Sequence, residues 1–186
     1  MKRAGWGVLP SILEKIDADA TSQHILPLLS SYLLNPNMSK INATLLYNIG
    51  KICMALSNQG LFNQMMPSVV KLIKSSFIDI GKTLEDSFAK SNFKGLRIVD
   101  PDADSETFDD QPKNSEWITN QLSLCYNLPA LATYLPDEVF FSTLYSHLQS
   151  LTGNQYINIK LSIVLPQTCL CMKQDDSRVK IMELLV

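Results

Sequence analysis

Cys125-Tyr126-Asn127-Leu128-Pro129-Ala130-Leu131-Ala132-Thr133-Tyr134-Leu135 reads as an apolar helix with a proline at its centre. Leu124, Leu128, Leu131 and Leu135 fall at i, i+4, i+7 and i+11, one stripe of a 3.6-residue period. Laying the chain on itself shows the same order elsewhere. Gly7-Val8-Leu9-Pro10-Ser11-Ile12-Leu13, Tyr47-Asn48-Ile49-Gly50-Lys51-Ile52-Cys53 and Ile163-Val164-Leu165-Pro166-Gln167-Thr168-Cys169 repeat it. Aligned on Pro10, Gly50, Pro129 and Pro166, the copies stand 40, 79 and 37 residues apart, the middle interval reading as about two periods. A unit near 40 residues is the period of paired-helix arrays.

A second pattern lies between the copies. His24-Ile25-Leu26-Pro27-Leu28-Leu29 matches Gln64-Met65-Met66-Pro67-Ser68-Val69, again 40 residues on. Each unit thus holds two segments, each with Pro or Gly inside an apolar helical stretch. Proline inside a helix removes one hydrogen bond and kinks the chain, which is tolerable where neighbours still cover the apolar face. Helical stripes run through Leu26, Leu29, Leu33 and Leu34, through Ile41, Leu45, Ile49, Ile52 and Leu56, and through Leu61, Met65, Val69, Leu72 and Ile73. Strand alternation is sustained nowhere. The pattern predicts helices over 3–16, 22–34, 39–57, 61–77, 115–135, 137–151 and 155–173. Asn35-Pro36-Asn37 and Thr152-Gly153-Asn154 read as turns within pairs, with Ser39 and Asp137 as helix caps. Short turns between long amphipathic helices make antiparallel neighbours. The fold class this implies is all-α, an α-α superhelix of antiparallel helix pairs of the HEAT/armadillo kind.

Residues 78–114 leave that register, beyond one short helical stretch from Thr83 to Phe93. Val99 to Asn114 reads VDPDADSETFDDQPKN; six of the eleven residues from Asp100 to Asp110 are acidic, with prolines at 101 and 112. This composition reads as an acidic, partly disordered insert between the two helices of one repeat. It divides the chain into HEAT-like repeats over 1–77, the insert over 78–114, and further repeats over 115–186. Asp100-x-Asp102-x-Asp104 has the opening of a calcium loop, but Ser105 and Gln111 stand where an EF-hand needs Gly and Glu. Ser105 and Thr107 precede acids, and phosphorylation there would add to a negative segment.

Composition narrows the function. With 46% hydrophobic and 18% charged residues, the chain has enough apolar surface for a buried core. Sixteen Lys+Arg against 18 Asp+Glu, with the three arginines scattered at 3, 97 and 178, make no basic face for nucleic acid. No apolar run reaches the ~18–20 residues of a membrane span, and no apolar stretch of ~7–15 residues follows Met1-Lys2-Arg3. A cytoplasmic or nuclear protein is expected. The cysteines at 53, 125, 169 and 171 form no Cys-x-x-Cys and read as small buried thiols. His24 and His147 fall in different repeats, both expected near helix surfaces, with no partner at triad or ligand spacing. No phosphate-loop, dinucleotide or nucleophile-elbow motif is present. The expectation is a non-enzyme with no catalytic residue, cofactor, metal or small-molecule substrate.

Two stretches carry a family resemblance. HILPLLSSYLLNPNMSKINATLLYNIGKICMALSNQGLFNQMMPSVVKLIKSS, His24 to Ser75, resembles a HEAT pair of the scaffold subunits of protein phosphatase 2A. Trp117 to Met172 is similar to the type 4 regulatory subunits, through the Cys125–Leu135 helix and Ile157-Asn158-Ile159-Lys160. In that family an acidic, low-complexity insert precedes the matching helix, as residues 99–114 do in this chain. Departures weaken the family's charged ladder: Asn35 and Asn154 stand for the usual Asp, and Lys40 and Lys160 for the usual Arg. Only Asp176-Ser177-Arg178-Val179-Lys180 nears the full pattern. Because it opens in a second-type helix and stops at Glu183-Leu184-Leu185-Val186, the chain reads as a fragment or divergent relative of a longer array.

The resemblance implies a regulatory or scaffold subunit that binds a Ser/Thr phosphatase catalytic subunit of type 4 or 2A by shape. A HEAT-type transport or trafficking adaptor is the alternative. Expected partner contacts are Asn35, Asn37, Ser39 and Lys40 in one turn, and Asn154, Gln155, Asn158 and Lys160 in another; the same residues serve equally to cap helices in solvent. Limited proteolysis should cut first between Lys94 and Lys113. Deleting residues 98–113 should leave the helical circular-dichroism signal almost unchanged, and a large loss would place the segment in the core.

Overall fold

Asp17 opens the first long helix: its carboxylate accepts the Ala20 N–H at 2.7 Å, the usual contact of an N-cap side chain. This is a computed structural model of the chain, and it describes residues 6–33, 39–90 and 114–185. A short helix α1 (Leu9–Leu13) comes first. Ala18–Ala20, a π-helical turn at Thr21–Ile25 and Leu26–Leu33 then run on without a break as α2. In the π turn the Leu26 N–H donates to the Thr21 carbonyl, one residue further back than in an α-helix. Pro27 follows at once, and its ring crowds the carbonyl four residues back, so the wider turn relieves the clash that was expected to kink the helix. The other helices are α3 (Ser39–Asn58), α4 (Phe62–Lys90), α5 (Asn114–Tyr134), α6 (Asp137–Thr152), α7 (Gln155–Cys171) and α8 (Asp175–Met182), closed by a 3₁₀ turn at Glu183–Leu185. Every regular element among the described residues is helical.

The helix expected over 61–77 continues to Lys90. Its apolar stripe stops near Phe77, but Lys, Leu, Glu and Ala after it are good helix formers. Periodicity reports burial, whereas the backbone ladder needs only compatible residues. Residues 91–113, with the acidic stretch, lie outside the described residues. A helix was expected through 183–186 but its start was not placed; α8 begins at Asp175, and Asp175 and Asp176 in its first turn are the signal that marks it.

The helices form two rows. α1, α3, α5 and α7 pack side by side in that order; α2, α4 and α6 pack behind them, and α8 lies against α7. The four segments aligned from sequence are those of the first row. Leu9, Ile49, Leu128 and Leu165, all equivalent, are all buried. The stripes read from sequence are buried where they are described, with Leu124, Leu128, Leu131 and Leu135 fully so. One reading is corrected. The 79-residue interval from Gly50 to Pro129 is not two periods, because α3 packs directly on α5. The extra length lies in the continuation of α4 and the residues after it.

Turns and caps repeat as well. Gly60, at φ 71°, ends α3 with Leu61 N–H on Leu56 O (2.8 Å) and Gly60 N–H on Ser57 O (3.0 Å), the paired bonds of a Schellman motif. Beside it the Gln59 amide donates to Leu13 O (2.6 Å) and Ile16 O (3.0 Å) at the end of α1. At the end of α5 the Lys173 ammonium donates to Ala132 O and Leu135 O, both at 2.7 Å. Those carbonyl pairs are equivalent in the alignment on Pro10 and Pro129. Each is an orphan helix end closed by a side chain from the next helix of the row.

A close contact joins α3 to α5. Asn127, buried, accepts the Gly50 N–H on Oδ1 at 3.0 Å. Its Nδ2 donates to Leu46 O (3.0 Å), Tyr47 O (3.2 Å) and its own Ser123 O (2.8 Å). A Cβ at Gly50 would lie 2.7 Å from Asn127 Oδ1 and 2.8 Å from the Ala130 Cβ. The first neighbour is pinned by four hydrogen bonds and the second moves only with the α5 backbone.

Gly50→Ala should therefore destabilise by about 1–3 kcal/mol through overpacking, although alanine gains about 1 kcal/mol of helix propensity over glycine. Leu128→Ala should cost about 2–5 kcal/mol, as for a buried leucine. Pro129→Ala should be neutral or stabilising, since it restores an N–H to the middle of α5. Urea unfolding followed by circular dichroism reads all three; a stabilising Gly50→Ala would refute the close approach.

Candidate protein-interaction site

Asn127 also decides what faces outward. The residue before it, Tyr126, and its equivalent Tyr47 on α3 point away from the second row and are 70% and 61% exposed. Their rings lie parallel, with centroids 6.4 Å apart and planes 9° from each other. Asn48, equivalent to Asn127, makes the same back-bond within its own helix, from Nδ2 to Thr44 O at 3.0 Å. On α7 the equivalent position is Ile163, 57% exposed. Between α3, α5 and α7 runs an open groove of about 590 Å³, bounded by Tyr47, Tyr126, Leu122, Ile163 and Val164 with Thr119, Ser123, Gln167 and Lys160. Its size suits a peptide or a few side chains.

The residues expected to contact a partner scatter. Asn35 and Asn37 lie outside the described residues, while Ser39 and Lys40 open α3 and Gln155 opens α7. Asn154 caps α7, its Oδ1 accepting the Ile157 N–H at 3.2 Å. Asn158 lines a smaller hollow of about 360 Å³ with Gln149, Thr152 and the 3₁₀ turn. Among those of the set whose side chains are described, Lys160 alone lines the groove between α3, α5 and α7. The tyrosines and Ile163 were not selected from sequence, although they share one alignment column; exposure was the missing fact.

Asp137 was expected to cap α6. Instead Pro136 stands at the cap and the Asp137 carboxylate, 3% exposed, turns to the segment entering α8. It accepts the backbone N–H of Lys173 (3.1 Å) and Gln174 (3.0 Å) and lies 3.7 Å from the Lys173 ammonium. Burial by itself would raise its pKa. The Gln174 N–H, the Ser177 hydroxyl and the Lys173 ammonium and N–H outweigh it and hold the carboxyl below its usual range. Arg178 closes the end of α7, donating from Nε and Nη2 to Met172 O at 3.2 and 3.1 Å and from Nη1 to Asp175 at 2.7 Å.

His24 is exposed, as expected, but His147 is not on an open surface. Its ring stacks on Phe77 of α4 at 3.7 Å, and its Nε2 lies 2.7 Å from Gln121 Oε1 of α5. Burial lowers its pKa to about 4. Cys53 and Cys125 are buried, and burial pushes their thiols up to about 12, out of nucleophilic range. Cys169 and Cys171, expected to be buried too, are only half-buried. Among the described residues no three His, Cys, Asp or Glu side chains converge as a metal site, and no helix is long and apolar enough to cross a membrane. The chain matches no protein-family model, no curated protein and no solved structure.

Both shifted groups predict acid sensitivity, in different windows. His147 is neutral when folded and charges more readily unfolded, so its share of stability falls as pH drops from about 6.5 to about 4. Asp137, with a depressed pKa, contributes above the unfolded carboxyl value of about 3.9 and loses its share only as pH falls through the lower folded value. In thermal melts across pH, His147→Gln should flatten the first slope. Asp137→Asn should cost about 1–3 kcal/mol at neutral pH through unmatched buried hydrogen bonds. An unchanged slope in His147→Gln would remove the first assignment.

Proposed function

We propose that the chain is a HEAT-type solenoid of antiparallel helix pairs that acts by binding a protein, without catalysis of its own. Its partner on this reading is a Ser/Thr phosphatase catalytic subunit of type 4 or 2A, which it holds or targets as a regulatory or scaffold subunit. The observation that carries the repeat reading is the equivalence of the first row. Segments aligned by sequence stand side by side, bury the same position, and have the same two end carbonyls capped in α1 and α5. Stacked repeats of this kind offer extended surfaces to partners. The choice of a phosphatase rests on the resemblance of His24–Ser75 and Trp117–Met172 to that family.

The experiment is affinity capture of the tagged chain followed by mass spectrometry, and then binding of the purified catalytic subunit. A type 4 or 2A catalytic subunit should be recovered in near-stoichiometric amount and bind directly. Recovery of coat or transport factors in its place would replace this reading with the trafficking adaptor.

A further inference from the structure

We propose that the groove across α3, α5 and α7 receives an extended acidic peptide of a partner protein, one with an aromatic residue beside its carboxylates. The inference rests on the reading of the chain as a protein-binding repeat and names what this face takes. Charge carries it. The chain as a whole has more acids than bases, 18 against 16. Yet over α3, α5 and α7 three bases, Lys40, Lys51 and Lys160, stand against one acid, Glu116, and those whose side chains are described are Lys51 and Lys160. Both are exposed, and neither has an ion pair among the described residues. Lys160 lines the groove itself. Helices with three bases to one acid, in a chain that has more acids than bases, are complementary to an anion. They are too weakly cationic for a polyphosphate backbone, which needs several bases at once.

The apolar part selects an aromatic. Tyr47 and Tyr126 present parallel, largely exposed rings, and Ile163 continues the line onto α7. Aromatic rings prefer such edges and faces, and Tyr is enriched where partners bind. Gln167, exposed along the same groove, can hydrogen-bond a peptide backbone. The spacing favours an extended chain crossing the row. Neighbouring helices stand about 8–10 Å apart and a strand rises about 3.3 Å per residue, so every third peptide residue meets a new helix.

The test uses the whole chain and a fluorescein-labelled decapeptide of alternating aspartate and phenylalanine, with a lysine-for-aspartate peptide as control, read by fluorescence anisotropy. The acidic peptide should bind saturably, and more weakly as salt rises. Tyr126→Ser should weaken it about fivefold or more, and Lys160→Glu by a few-fold. Both positions are exposed, and unchanged circular dichroism checks that the variants fold. Equal binding of the two peptides, or indifference to both variants, overturns the proposal. So does binding seen only after deletion of residues 98–113, which would make the chain's own acidic stretch the occupant. Concentration-dependent self-association lost in Tyr126→Ser, without peptide binding, would assign the groove to a second copy and also overturn it. The two readings fail separately. A phosphatase subunit bound equally by wild type and both variants would leave the proposed function standing and remove the groove from it. Peptide binding without phosphatase capture would do the reverse.

Discussion

The Asn127 carboxamide meets one rung of α3, taking the Gly50 N–H on its oxygen and offering its nitrogen to Leu46 O. Both ends of that side chain are matched to backbone groups of the neighbouring helix, so rotation or sliding of either helix breaks two buried bonds together. The contact spans 77 to 81 residues of sequence. It puts the two halves of the chain in register across the long excursion from α4 to α5. Loop-closure entropy rises only slowly with length, so a contact of this quality tolerates the extra residues. It also requires a residue without a side chain at position 50, where the other copies of the segment carry proline. The proline copies have no N–H to offer to a neighbouring side chain.

A second polar joint stands at the other end of the first row. Lys173 closes the carbonyls of α5 while its backbone N–H, with that of Gln174, is held by Asp137 of α6, and Arg178 closes α7. Three helix ends, those of α5 and α7 and the start of α8, are thus closed by three side chains, Lys173, Arg178 and Asp137. Each removes orphan backbone groups that would be costly to bury unpaired. Acid-base pairing is found in these joints, and the turn residue Asn154 serves as a neutral cap.

These joints shape the surface. With α3 and α5 held at one rotation by Asn127, Tyr47 and Tyr126 emerge together, and Ile163 joins them through the packing of α7. Over α3, α5 and α7 the charged residues are three lysines and one glutamate, so the acidic character of the chain is carried elsewhere. The exposed aromatic line over the groove therefore arises as a consequence of core geometry.

Much of the architecture was legible in the sequence because helical burial repeats with a period that sequence also records. The stripe Leu124, Leu128, Leu131, Leu135 and the alignment of Leu9, Ile49, Leu128 and Leu165 predicted burial, and these positions are buried. Beyond Phe77 the sequence read only as a separate helical stretch from Thr83 to Phe93, and its junction with the preceding helix was not legible, because a helix can continue without an apolar stripe. Nor was the meaning of the 79-residue interval, since spacing counts residues and not neighbours. The site was less legible still. Tyr47, Tyr126 and Ile163 share an alignment column, yet a Tyr in an apolar helix reads equally as core or surface until the neighbouring helix is in place. Sequence alone determined which residues seek burial, through the periodic hydrophobic effect. Tertiary structure decided which helix meets which, and hence which polar and aromatic groups are matched and which are left facing out, because those depend on contacts between residues far apart in the chain.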